Sequence, residues 1–181
     1  MSLKNLHEMP WIGEHAVLDL ANTVVCGADS SGGDIDLLAE EGLRASWRSR
    51  AADRGLADLP LEELTRLREP ARAVLGAAAR QAPLPEAART RLNALAAGAP
   101  VTFEVGEDGR LAEREGGGPV AGRVARQVLV LAAGPEQARL RTCPAPSCGM
   151  FFLARRRDQA WCSVGCGNRA RSARRQALRP D

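Results

Sequence analysis

The chain has 181 residues, 45% apolar and 26% charged, which is enough to bury a core and stay dissolved and excludes a fully disordered chain or a fibre. No run approaches the ~18–20 uncharged apolar residues of a membrane span, and the opening MSLKNLHEMPWIGEH has no signal-peptide core, so a cytoplasmic protein without a membrane partner is expected. The net charge of +3 is uneven: residues 1–138 hold 15 Lys and Arg against 20 Asp and Glu, whereas residues 139–181 hold 10 Arg against 2 Asp.

With no Tyr and 3% aromatic residues, Ala and Leu must fill the core, which favours helices. Val17 to Val25 is an apolar run that fits helix or strand by pattern alone. Cys26 follows it and reads as a small buried side chain. Asp36 to Arg54 reads as a helix carrying Leu37, Leu38, Leu43 and Trp47, stopped by Gly55. Leu61 to Gln81 opens after Pro60 with Glu62 and Glu63 in its first turn, as helices do. Its stripe is Leu64, Leu67, Ala71, Val74, Leu75 and Ala78, and Pro70 inside it is expected to kink or split the helix. A short helix from Glu86 to Ala97 ends at Gly98. VTFEV and RLAER, separated by GEDG, predict a β-hairpin near 101–115. Val120, Val124, Val128 and Leu131 form a further helical stripe, ended by Gly134 and Pro135.

Asp19, Asn22 and Thr23 are polar residues in an apolar segment, and Arg68 and Arg72 lie on a helix that can face them. Buried together, they need hydrogen bonds to one another, or a small-molecule effector to satisfy them. Both readings are open at this point.

Four of the five cysteines fall in one window, as Cys143-x4-Cys148-x13-Cys162-x3-Cys166. Two short-spaced pairs a dozen residues apart resemble a four-thiolate zinc site more than a disulfide framework. Four sulfur ligands leave no position for water, so the metal is structural. About 35 residues cannot fold on their own core, and metal binding supplies the missing stability.

From Ser163, a plausible N-cap, a last helix is expected. Cys166, Ala170, Ala173 and Ala177 share one face, while Arg171, Arg174, Arg175 and Arg179 take the opposite arc. Arg155, Arg156 and Arg157 are expected in a hairpin turn before Trp161. Arg grips phosphate with a planar fork, so two Arg clusters on a metal scaffold suit a polyanion, nucleic acid above all. The bland alternative is a solvated basic surface. Arg169 has a second reading with Asn168, as an organiser of the metal turn.

Signs of catalysis are missing. The two His, His7 and His15, belong to no HExxH, and there is no G-x-S-x-G or deaminase signature. Gly165 to Ala170 spells a loose dinucleotide fingerprint, but its Cys166 is committed to metal and too little chain follows for a βαβ unit. No catalytic residue is assigned, and a non-enzyme is expected.

The run CPAPSCGMFFLARRRDQAWCSVGCGNRARSARR resembles the CGNR zinc finger, named for the residues that stand here as Cys166, Gly167, Asn168 and Arg169. LDLANT, Leu18 to Thr23, resembles the opening of the ABATE domain that precedes this finger, and Ile35 to Leu56, with Trp47, resembles its following helix. The resemblance favours helix for the Val17–Val25 run. It implies a stress-induced transcription regulator in which the finger binds DNA and the ABATE part senses.

The expected fold is mainly α with a small β-hairpin. Residues 1–138 would form an ABATE-like helical domain, and residues 139–181 a treble-clef-like CGNR zinc finger. Cys143, Cys148, Cys162 and Cys166 would hold one structural zinc. Arg155, Arg156, Arg157, Arg169, Arg171, Arg174 and Arg175 would meet DNA. Asp19, Asn22, Thr23, Arg68 and Arg72 would line an effector pocket. One finger makes few base contacts, so a homodimer is expected for specific recognition. The competing classes are an RNA-binding module, with Phe151, Phe152 and Trp161 stacking on bases, and a protein-interaction adaptor docking an acidic partner.

Overall fold

The computed structural model describes residues 11–13, 15–27 and 33–177, so His7 and Arg179 lie outside the described residues. In chain order the elements are α1 (Ala16–Ala21), β1 (Val24–Val25), β2 (Ile35–Asp36), α2 (Glu41–Arg50), α3 (Arg54–Ala57) and α4 (Leu61–Ala79). Then come α5 (Glu86–Ala97), β3 (Val101–Val105), β4 (Leu111–Glu115), α6 (Val120–Ala133), β5 (Leu140–Thr142), β6 (Phe151–Leu153) and α7 (Val164–Ala177). A 3-10 turn, Pro135–Arg139, joins α6 to β5. Among the described residues the strands form three antiparallel pairs: β1 with β2, β3 with β4, β5 with β6. The chain is therefore mainly α with small hairpins, and the one predicted near 101–115 is β3–β4. No described helix is long and apolar enough to cross a membrane.

The body is built on α4, whose Leu64, Leu67, Ala71, Val74, Leu75 and Ala78 are buried against the Val124, Val128 and Leu131 stripe of α6. Gly122 lets α6 approach α5: a Cβ there would stand 2.7 Å from the Leu95 carbonyl oxygen. Pro70 neither splits nor ends α4. An interior proline costs about 3 kcal/mol, and burial of the apolar stripe on both sides of it outweighs that.

Two expectations for the first third of the chain are corrected. The Val17–Val25 run is both candidates in turn, a helix to Ala21 and then a strand. The helix expected over 36–54 is only Glu41–Arg50. Ile35 pairs with Val25 in the β1–β2 ladder, and the Asp36 carboxylate accepts from the Leu38 N–H at 3.0 Å, a local bond that competes with helix. Gly55 is no stop; it lies inside α3, which Asp53 caps by accepting from the Leu56 N–H at 3.0 Å. Trp47 is fully buried and its Nε1–H donates to the Asp19 carbonyl at 3.2 Å, which ties α2 to α1. His15 caps α1 by accepting from the Val17 N–H through Nδ1, and burial lowers its pKa, which favours the neutral ring.

Asp53 also receives both Nη groups of Arg123 on α6. Those hydrogen bonds, opposed by burial and helped by the Leu56 N–H, hold its carboxyl below the ordinary aspartate range. A lowered carboxyl stabilises the fold at pH above its unfolded value, and that stability is lost as pH falls through the folded value. Asp53→Asn is therefore expected to lower stability at pH 7 by about 1–3 kcal/mol and to flatten the acid limb of the stability curve. Urea unfolding at pH 7 and at successively lower pH checks this; parallel curves for the two proteins would contradict it.

Candidate metal centre

β5 and β6 bracket a knuckle that carries Cys143 and Cys148. The Cys143 N–H donates to the Met150 carbonyl at 2.8 Å, and the Gly149 N–H to the Cys143 carbonyl at 3.3 Å, which closes the turn. Within it Ser147 and Gly149 take positive φ, 53° and 66°. Gly149 is required for a second reason: a Cβ there would stand 2.8 Å from Cys26 Sγ of the body. The backbone N–H groups of Ala145 and Met150 point at the sulfurs of Cys143 and Cys148. Cys162 lies just before α7 and Cys166 in its first turn, where Ser163 acts as the predicted cap, accepting from the Cys166 N–H at 3.1 Å.

The four sulfurs lie within 4.8 Å of one another. Cys148–Cys162, Cys162–Cys166 and Cys148–Cys166 separations are 3.8, 3.5 and 3.7 Å. A tetrahedron of sulfurs each ~2.3 Å from zinc has edges of about 3.8 Å, so the donor set fits one tetrahedral ion. No disulfide joins any of these cysteines. Thiols this close compete for charge. Hydrogen bonds from Cys148 and Cys162 take Cys143 down to about 2, while the Cys143 sulfur pushes Cys148 up to about 12 and raises Cys162 as well. A divalent cation removes that conflict by letting all four bind as thiolates. The four cysteines are positioned for one structural zinc, with no open coordination position for chemistry.

The residues that follow Cys166 each serve this centre. Gly167 leaves room for the Trp161 ring, which a Cβ would meet at 3.3 Å. Asn168 accepts from Arg171 Nη2 at 2.6 Å, and Arg171 lies over the Trp161 ring, 5.6 Å from its centroid. Arg169 reaches back to Cys166 Sγ, with Nη2 at 3.2 Å, and offsets thiolate charge. Arg169 is thus half-buried at the metal turn, whereas Arg155, Arg156, Arg157, Arg171, Arg174 and Arg175 are exposed. The Arg155–Arg157 cluster sits in the loop between β6 and α7, not in a hairpin turn. On α7, Cys166 is buried and Ala170 and Ala173 are half-buried, but Ala177 is exposed because the helix has run past the knuckle. The three finger aromatics separate: Phe151 and Phe152 are buried, and Trp161 is half-buried.

β6 carries two cores on its alternating faces. Phe151 and Leu153 join the core of the body, whereas Phe152 joins Met150, Ala154 and the metal-ligating cysteines. Asn22 locks the strand in place: its Nδ2 donates to the Phe151 carbonyl at 2.9 Å and its Oδ1 accepts from the Phe151 N–H at 2.7 Å. Arg72 lies 5.6 Å over the Phe151 ring and bonds the Ala21 and Val24 carbonyls. Arg68 grips Asp36 with both Nη groups, at 2.7 and 2.5 Å, and donates to Thr23 Oγ1 at 2.8 Å. Burial alone would raise the Asp36 carboxyl, but this fork and the Leu38 and Ala39 N–H groups bring it below its ordinary range. Asp19 Oδ1 accepts from the Gly13 N–H at 3.0 Å. Of the five polar residues of the expected effector pocket, Arg68 and Thr23 bond each other, and Asp19, Asn22 and Arg72 bond backbone groups. None of them lines the cleft of about 990 Å³ that opens elsewhere, between Trp11 and Ile12 and the Trp161 side of the finger.

A family model for the ABATE domain, described as "Putative stress-induced transcription regulator", matches residues 14–135. A model for the CGNR zinc finger matches residues 139–179. No curated protein matches the chain.

Because β6 belongs to both cores, metal removal is felt beyond the finger. A chelator is expected to unfold the knuckle and α7 and to lower the melting temperature of the still-folded body. Limited proteolysis with a thermal melt checks both; an unchanged cleavage pattern after verified metal loss would contradict the account.

Proposed function

The chain belongs to the ABATE family and ends in a CGNR zinc finger, and from this we propose a cytoplasmic transcription regulator whose finger grips duplex DNA. The observation that carries the reading is the fixed display of guanidinium groups around one metal-held helix. Arg174 and Arg175 stand exposed on α7, and Arg155, Arg156 and Arg157 stand exposed on the loop before it. Arg171 extends the set from above Trp161. Arg169 serves the thiolates instead, so its part in binding is indirect. The acidic body repels phosphate and leaves the tip as the approach surface.

The single-strand alternative has lost most of its stacking platform. With Phe151 and Phe152 buried, Trp161 alone of the three is left to stack on a base, and Arg171 already lies over it. Phosphate contact on a duplex is better supported, and so is a role for Asn22 and Arg72 as the lock between body and finger, with Arg68 bonded to Thr23 and Asp36 within the body. A sensing role for the body fits the family description and rests on it alone.

Each phosphate contact releases counterions, so affinity falls with salt at a slope of about −0.9 per contact. Engagement of about five phosphates predicts a log–log slope of about −4 to −5. The double substitution Arg174→Ala and Arg175→Ala is expected to lessen it by about 2 with zinc content unchanged. Fluorescence anisotropy on a labelled duplex across a salt series measures both slopes, and a flat salt dependence would overturn the reading.

A further inference from the structure

The β3–β4 hairpin presents apolar residues to solvent: Phe103 is 64% exposed, Val105 65% and Leu111 68%. Its hydrogen-bond register decides which backbone groups are free. The Gly106 N–H bonds the Arg110 carbonyl at one end of the ladder, and the Gly116 N–H bonds the Pro100 carbonyl at the other. With Val101 opposite Glu115 and Val105 opposite Leu111, alternation makes Thr102 and Glu104 the residues bonded to β4. The N–H and C=O groups of Val101, Phe103 and Val105 then point outward, and among the described residues none of them is hydrogen-bonded.

We propose that this outer edge of β3 is a homodimer seam, on which two copies of the chain pair antiparallel about Phe103 and make a four-stranded sheet. The strand is complementary to itself. In that register Phe103 meets Phe103 of the second copy, and Val101 meets Val105, all as hydrogen-bonded pairs through their outward groups. Thr102 meets Glu104, whose charge Arg114 of its own hairpin already offsets at 3.0 Å. The other edge does not suit this use. Self-pairing of β4 about Glu113 would set Glu113 against its own copy, and Arg126 already holds Glu115 at 2.6 Å. Edge strands are commonly guarded by Lys, Pro or a bulge, and β3 carries none of these. Two five-residue edges fall short of the ~800 Å² per partner of a standard interface, so the dimer is weak and concentration dependent. The inference goes beyond the DNA-binding reading and does not rest on it, because the seam is far from the arginines in sequence and forms without DNA.

Sedimentation equilibrium of the zinc-loaded full chain without DNA, from about 1 to about 300 µM, tests it. A monomer–dimer equilibrium is expected. Phe103→Lys sets like charges opposite each other at the two-fold and is expected to weaken the dimer about tenfold or more. Leu111→Lys lies on the same apolar face but off the seam, and is expected to leave the dimer in place. Amide exchange gives a second reading. Val101, Phe103 and Val105 should gain protection as concentration rises, whereas Thr102 and Glu104 should be protected throughout and report that the hairpin is folded. A monomer across the whole range would overturn the proposal, as would dispersal by Leu111→Lys rather than Phe103→Lys.

Discussion

Four sulfurs held within 4.8 Å of one another are the constraint on which the C-terminal finger depends. Without a cation the cluster is in conflict with itself, since Cys143 is driven toward the anion and Cys148 and Cys162 away from it. With one, the knuckle between β5 and β6 and the first turn of α7 are fixed to a single point. The direction of α7, and with it the placing of Arg171, Arg174 and Arg175, follows from that point. The motif after Cys166 supports it residue by residue: no side chain at 167, an amide at 168 that steadies Arg171, and a guanidinium at 169 that returns to the sulfur.

The finger is not an appendage on a flexible tether. β6 turns Phe151 and Leu153 into the body and Phe152 toward the metal, and Asn22 bonds both backbone groups of Phe151. An Asn placed this way imitates a neighbouring strand. Two polar residues within LDLANT thus have a structural purpose: just after the first helix, Asn22 holds β6 and the Thr23 hydroxyl accepts from Arg68 of α4, while the Asp19 side chain accepts from the Gly13 N–H. Body and metal knuckle therefore share one strand, and one amide pins it.

Much of this was legible in the residues. The cysteine spacing alone led to the metal centre, because few other uses of cysteine want two close pairs a dozen residues apart. The helices from Leu61 and Val120 followed from their apolar stripes, and the hairpin near 101–115 from a glycine turn between alternating segments. The segment from Ile35 to Arg54 was not legible. Asp36 is governed by Arg68, 32 residues further on, and Ile35 by Val25 across a turn. Local periodicity carries no trace of either. The same holds for Asn22 and Phe151, which are 129 residues apart, and for Asp53 and Arg123, which are 70 apart. The sequence could show that the polar set needed partners, but not which ones.

The DNA binding proposed for the finger is a property of the metal-ordered tail rather than of arginine content. The most direct test is the affinity of one protein preparation for one duplex at fixed low salt, measured before metal removal, after it, and after zinc is restored. Binding should fall at least tenfold with the metal gone and return in full when zinc is added back. Equal affinity in all three states would contradict it.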